Sequence, residues 1–119
     1  MSYNKQFSSI FDGLRAAYGT YKIDSKQLNG KKRSGKAGVV REARTTELWE
    51  GHLSGKGQSV GIIPINEENN CKWGCVDIDQ YNFDHKALIK KIRSLKLPLV
   101  VCRSKSGGAH VFIFTSEWV

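Results

Sequence analysis

The sequence predicts an α+β domain: a mixed sheet containing a βαβ unit, with helices packed on one face. Three observations carry this reading. Runs rich in β-branched and apolar residues recur at 59–65, 72–79, 99–103 and 109–115. An amphipathic helical pattern at 83–96 separates the second of these runs from the third. A length of 119 residues suits about one domain with a single core. The expected organisation is one domain over 1–119, with an N-terminal helix at 1–21, a basic loop or arm at 22–44 and an α/β core at 45–119.

The elements follow in chain order. Phe7, Ile10, Phe11, Leu14 and Tyr18 stand at helical spacing and Gly19 follows, which predicts a helix over 7–18. From 22 to 44 the basic residues Lys22, Lys26, Lys31, Lys32, Arg33, Lys36, Arg41 and Arg44 face only Asp24 and Glu42. Apolar residues are sparse there and glycines interrupt it, so it reads as a flexible arm. Thr45 or Thr46 caps a short helix to about Leu53, with Glu47 in its first turn. The run 59–65 reads as a strand, and Pro64 marks its end or an edge. A polar turn at 67–70 leads to a strand at 72–79. In the helix that follows, Ala87, Leu88, Ile92 and Leu95 form one stripe, and Pro98 closes it. The last two strands flank the turn 104–108 and are expected to pair as a hairpin.

Charge and composition limit the function classes. Nineteen Lys and Arg against eleven acids give +8, which favours a polyanion such as nucleic acid or nucleotide phosphate over a membrane surface. Lys31, Lys32, Arg33, Lys36, Arg41 and Arg44 are the candidate backbone contacts, because phosphate contacts tolerate a mobile arm. Tyr18 and Tyr21 beside the arm are candidate stacking residues, while Trp49 and Trp73 read as core. Cys71, Cys75 and Cys102 form no disulfide framework, and buried cysteine is favoured over a zinc site. With no apolar span and no signal-peptide pattern, a cytoplasmic location and no membrane partner are expected.

The chemistry gathers at two places. Along 72–79, strand alternation puts Trp73, Cys75, Asp77 and Asp79 on one face and Gly74, Val76 and Ile78 on the other, the small apolar set suiting burial beneath the helix. Asp77 and Asp79 then lie about 7 Å apart along the strand, where both reach a hard divalent cation, Mg²⁺ or Mn²⁺. The second place is Arg103-Ser104-Lys105-Ser106-Gly107-Gly108-Ala109-His110. Its glycines expose backbone N–H groups, and Arg103, Lys105 and the hydroxyls of Ser104 and Ser106 add phosphate donors. A βαβ arrangement would lay this turn beside the carboxylates, as nucleotidyl transfer requires.

The pair Asp77-Ile78-Asp79 followed by Ser106-Gly107-Gly108-Ala109-His110 resembles the first two motifs of archaeo-eukaryotic primases. The stretch 48–114 looks like the primase domain of TOTE-type conflict systems. It carries His52-Leu53, Gly61-Ile62-Ile63-Pro64-Ile65, Cys71-Lys72-Trp73, Leu97-Pro98 and the segment from Arg103 to Phe112. The resemblance implies an RNA-recognition-motif-like half of a primase core. Asp77 and Asp79 would be metal ligands and, with His110, the catalytic set. His110 would contact the phosphates of an NTP or dNTP beside Ser106 and the glycine backbone. DNA template or primer is the implied partner, together with a helicase or the remaining primase half.

Two departures qualify the match. The turn is one residue shorter than the Ser-Gly-x-Gly-Ala-His of close relatives. The family's third motif, an apolar residue followed by Asp, is not met before Val119, so the site is expected to be incomplete in this chain. A DNA primase or polymerase using two metals is the first reading. A non-catalytic binder of nucleotide or single-stranded nucleic acid, and a metal-dependent nuclease, are the alternatives.

Overall fold

The computed structural model describes residues 3–23 and 35–119. The protein is α+β, and it divides into two compact units, Met1–Cys71 and Lys72–Val119.

The first unit contains α1 (Tyr3–Ile10), β1 (Tyr18–Ile23), β2 (Gly35–Val40), α2 (Thr46–Ser54) and β3 (Ser59–Gly61). Its sheet has the order β2-β1-β3, antiparallel throughout. The helix expected over 7–18 is therefore corrected: it spans Tyr3–Ile10, and Tyr18 begins a strand. The cause is local. Asp12 accepts the Gly13 N–H at 2.8 Å, and the Leu14 N–H donates to the Ile63 carbonyl at 2.8 Å, both incompatible with a continuing helix. A side chain at Gly13 would collide with that same Ile63 carbonyl. Beyond it, Tyr18-Gly-Thr-Tyr-Lys-Ile is a β-former by composition.

The arm expected over 22–44 is also corrected in part. Residues 35–40 form β2, in a six-residue register with β1 that sets Lys36 opposite Lys22. Lys31, Lys32 and Arg33 lie outside the described residues. The strand expected over 59–65 shortens to Ser59–Gly61, since the Ile63 carbonyl serves Leu14 and Pro64 has no N–H to give a ladder. The helix at 45–53 is as expected: Thr45 Oγ1 accepts from Leu48 N–H, and Gly55 closes the helix at φ 72°. Trp49 is core as expected, 6% exposed and edge-on to Phe7 at 5.5 Å.

The second unit runs β4 (Trp73–Ile78), α3 (His85–Ser94), β5 (Val100–Arg103) and β6 (Ala109–Phe114). Asp84 caps α3 by accepting the Ala87 N–H at 3.0 Å, and Ile92 is its buried residue. Strands β4 and β5 each pair antiparallel with β6, in the order β4-β6-β5. They are thus parallel to each other with β6 between them. The expected β4-α3-β5 crossover is present, but every hydrogen-bonded pair is antiparallel, where a mixed sheet was expected.

The core of this unit is small: Ile92, Ala109 and Val111 are buried. Val76, expected beneath the helix, is 64% exposed, because the helix contacts are with β5, at the far side of β6 from β4. Cys75 and Cys102 are exposed rather than buried.

Candidate active site

Register builds the site. In the β4–β6 ladder Asp77 stands directly opposite His110, and paired residues share a face. His110 Nε2 lies 3.4 Å from Asp77 Oδ1, an ion pair when the imidazole is protonated. The two side chains are 42% and 68% exposed, so water screens the pair and leaves the carboxylate open to a further partner. The same face carries Trp73 and Cys75 of β4, Phe112 and Phe114 of β6, and Cys102 of β5. Phe112 stacks on Phe114 at 5.7 Å and meets the His110 ring edge-on at 6.1 Å, which steadies the imidazole.

The turn between β5 and β6 is tied at both ends. Ser104 N–H donates to the Gly108 carbonyl at 3.0 Å, and Gly107 N–H donates to the Ser104 carbonyl at 3.1 Å. The Ser104 and Ser106 hydroxyls lie 3.4 Å apart. Each glycine has its own reason. Gly107 takes φ 92°, a conformation that L side chains rarely adopt. At Gly108 a Cβ would strike the carbonyl oxygen of Ile78. The second glycine therefore lets the turn press against the backbone between Asp77 and Asp79, and the two motifs meet there.

His85, the first residue of α3, was not among the residues that the sequence singled out for this site. Its Nε2 lies 2.7 Å from the Gly108 carbonyl, so the Nε2–H tautomer donates there beside the Ser104 N–H. The Phe83 ring sits edge-on to the imidazole at 5.2 Å. No spacing rule connects His85 to a glycine 23 residues later; the crossover alone makes them neighbours.

Other expected members fall differently. Asp79 is exposed and follows the last residue of β4, so the ladder fixes Asp77 but not Asp79. Arg103 pairs with Ala109, which strand alternation assigns to the face opposite His110. Lys105 is exposed in the turn. Although Cys75 is exposed, slight desolvation by its neighbours pushes its thiol up, the Asp77 carboxylate and Cys102 add to this, and a backbone hydrogen bond with Val111 opposes it. Cys75 is thus a poor nucleophile at neutral pH.

In the first unit, Lys36 and Arg41 are exposed, but Arg44 is not an arm residue: its guanidinium is buried against Asp12 at 3.2 Å. Tyr18 is buried and Tyr21 exposed. Among the described residues no helix is long and apolar enough to cross a membrane.

An antiparallel sheet that joins an acidic strand to a glycine-bearing, histidine-ended hairpin makes the second unit an α+β module. The model of one family, described as the Archaeo-Eukaryotic Primase domain of the TOTE conflict system, matches residues 7–119, and the chain belongs to that family. No curated protein matches it. Membership brings a primase-like, nucleotidyl-transfer function at the level of the family, with divalent metals as its general cofactors and nucleotides and DNA as its general substrates.

Proposed function

We propose that Asp77, Asp79, His110 and the turn 104–108 form the metal- and triphosphate-binding part of a template-directed DNA primase or polymerase site. The observation that carries this is the Asp77–His110 pairing, with Gly108 held against the Ile78 carbonyl. It puts a carboxylate, an imidazole and a turn rich in N–H and O–H donors within one small area of the sheet.

The donor set fits a hard cation. Asp77 and Asp79 offer carboxylate oxygens on exposed side chains, the donors that Mg²⁺ and Mn²⁺ prefer. Among the described residues no group of three His, Cys, Asp or Glu is placed to hold a metal ion, so the two carboxylates alone carry this part of the proposal. Asp77 and Asp79 would hold the cation, and the chemistry it would supply when bound is Lewis-acid stabilisation of phosphate charge and easier ionisation of the attacking 3′ hydroxyl. His110 would donate an N–H to a phosphate oxygen and Ser106 its O–H, beside the backbone N–H groups of the turn other than Ser104 and Gly107, which bond within it. Asp77, 3.4 Å from Nε2, would hold the imidazole in place. Exposed Lys22, Lys36 and Arg41 are suited to the template or primer backbone.

The test is primer extension by the whole chain with Mn²⁺ and dNTPs, alongside nucleotide binding by calorimetry. Extension that is lost in Asp77→Ala supports the enzyme. Binding without extension favours a nucleotide-binding module of the same fold. Absence of both activities sinks the proposal.

A further inference from the structure

The second unit carries a flank of positive charge that the proposed carboxylate site does not use. Between Asp84 and Glu117 the chain has no acidic residue, and α3 brings Lys86, Lys90, Lys91 and Arg93 to this stretch. At about 3.6 residues per turn, Lys86, Lys90 and Arg93 share one flank of the helix, and Lys91 falls on the other side. Ile92, the buried residue of α3, marks the side turned inward, and the flank lies off it. All three cations are exposed, and with half-buried Ile89 they line a groove of about 370 Å³. From Lys86 to Arg93 the helix rises about 10 Å, so the groove is a short track and not a point site.

Local structure does not favour this arrangement. Like charges three and four residues apart repel, and a solvent-facing helix is ordinarily served by acids and bases together. Lys86 stands in the first turn, where the helix dipole opposes a cation. The acid nearest to it in sequence, Asp84, is committed to the Ala87 N–H at 3.0 Å. No ion pair joins Lys86, Lys90 or Arg93 to another described residue. A polyanion lying along the groove would compensate all three charges at once. Arg93 adds a planar fork of donors suited to phosphate oxygens, and the two lysines act as point charges. A lipid surface would need an apolar face beside the charge, and α3 already packs against β5.

We propose that the Lys86, Lys90 and Arg93 flank of α3 holds the phosphate backbone of a nucleic-acid strand, without regard to base sequence. The proposal rests on the family's use of nucleic acid and not on the metal assignment. Asp77→Ala leaves every group named here unchanged, so the two readings fail separately.

The test is binding of a labelled single-stranded oligodeoxynucleotide to the full chain, followed by fluorescence anisotropy at stepped salt. Wild type is compared with the triple variant Lys86→Gln, Lys90→Gln and Arg93→Gln. Each cation on a single strand contributes about 0.7 to the slope of log affinity against log salt, so the slope should become shallower by about 2. A second triple variant, Lys5→Gln, Lys56→Gln and Lys91→Gln, removes the same net charge from exposed positions elsewhere. Its slope should stay close to that of wild type. The melting temperature of the flank variant should not fall, because Gln suits a helix and repulsion is relieved. Its nucleotide binding by calorimetry should match wild type. An unchanged slope in the flank variant, or an equal loss in the second triple variant, overturns the site. Binding of anionic vesicles without binding of the oligonucleotide overturns the nucleic-acid assignment.

Discussion

The two units place their charged groups by different means. In the second, a strand ladder sets Asp77 opposite His110, and the partners stay exposed and open to a ligand. In the first, the Arg44 side chain is 9% exposed and ion-paired with Asp12 across 32 residues of chain, and the cavity around it is shaped by loops and two helices. Ladder placement needs register and strand order, and side-chain alternation encodes only which residues of a strand share a face. Placement by an ion pair distant in sequence needs the fold first. The lesson is that the members of the ladder-built site can be read ahead of the structure, while their pairing, like the Arg44–Asp12 pair, cannot.

That difference can be broken at several points, beginning with the largest effect. Trp49→Ala removes the main buried ring of the first unit and should cost about 3–5 kcal/mol in denaturant unfolding. Gly108→Ala drives a methyl group into the Ile78 carbonyl. It should cost about 1–3 kcal/mol and also displace the turn, so nucleotide affinity falls further than stability does. Gly107→Ala has open space around it and should show only the conformational penalty of about 1–2 kcal/mol, with nucleotide affinity largely kept.

Asp12 sharpens the comparison through pH. Its folded-state constant lies below the ordinary 3.8, so its stabilising effect is complete above that value and disappears as pH falls through the folded constant. Wild type should lose more stability than Asp12→Asn across that acid window, measured by urea melts at stepped pH.

Smaller effects should follow at His85 and Lys36. His85→Ala deletes one hydrogen bond to the Gly108 carbonyl, worth about 1 kcal/mol, and should raise the nucleotide dissociation constant. His85→Gln, if its amide reaches the same carbonyl, should restore part of that affinity. Lys36→Glu replaces a like-charge cross-strand pair with Lys22 by an attractive one. A gain of about 0.2–1 kcal/mol is expected, together with weaker DNA binding and a shallower salt dependence.

Much of the second unit was legible for reasons these residues make plain. β4, β5 and β6 are apolar runs with clear ends, α3 has an amphipathic stripe and a capping Asp84, and the hairpin glycines mark the turn. What could not be read was sheet order: insertion of β6 between β4 and β5 is a tertiary fact, and it decides that Asp77 meets His110 directly. In the first unit, helical spacing from Phe7 to Tyr18 misled because an Asp-Gly turn and a tertiary bond from Leu14 to Ile63 outweighed it. β2 escaped because Gly-Lys-Ala-Gly-Val-Val has little apolar pattern and is held by backbone pairing to β1.

Cation binding at the ladder-built site is the most direct test of the central claim. Melting curves of the whole chain are recorded with rising Mn²⁺, for wild type and for Asp77→Ala with Asp79→Ala. At a hundred times the dissociation constant, binding to the folded state alone adds about 2.7 kcal/mol, enough to raise the melting temperature by several degrees. That rise should be present in wild type and absent in the double variant. Equal rises in both proteins, or none in either, would contradict a metal site at Asp77 and Asp79.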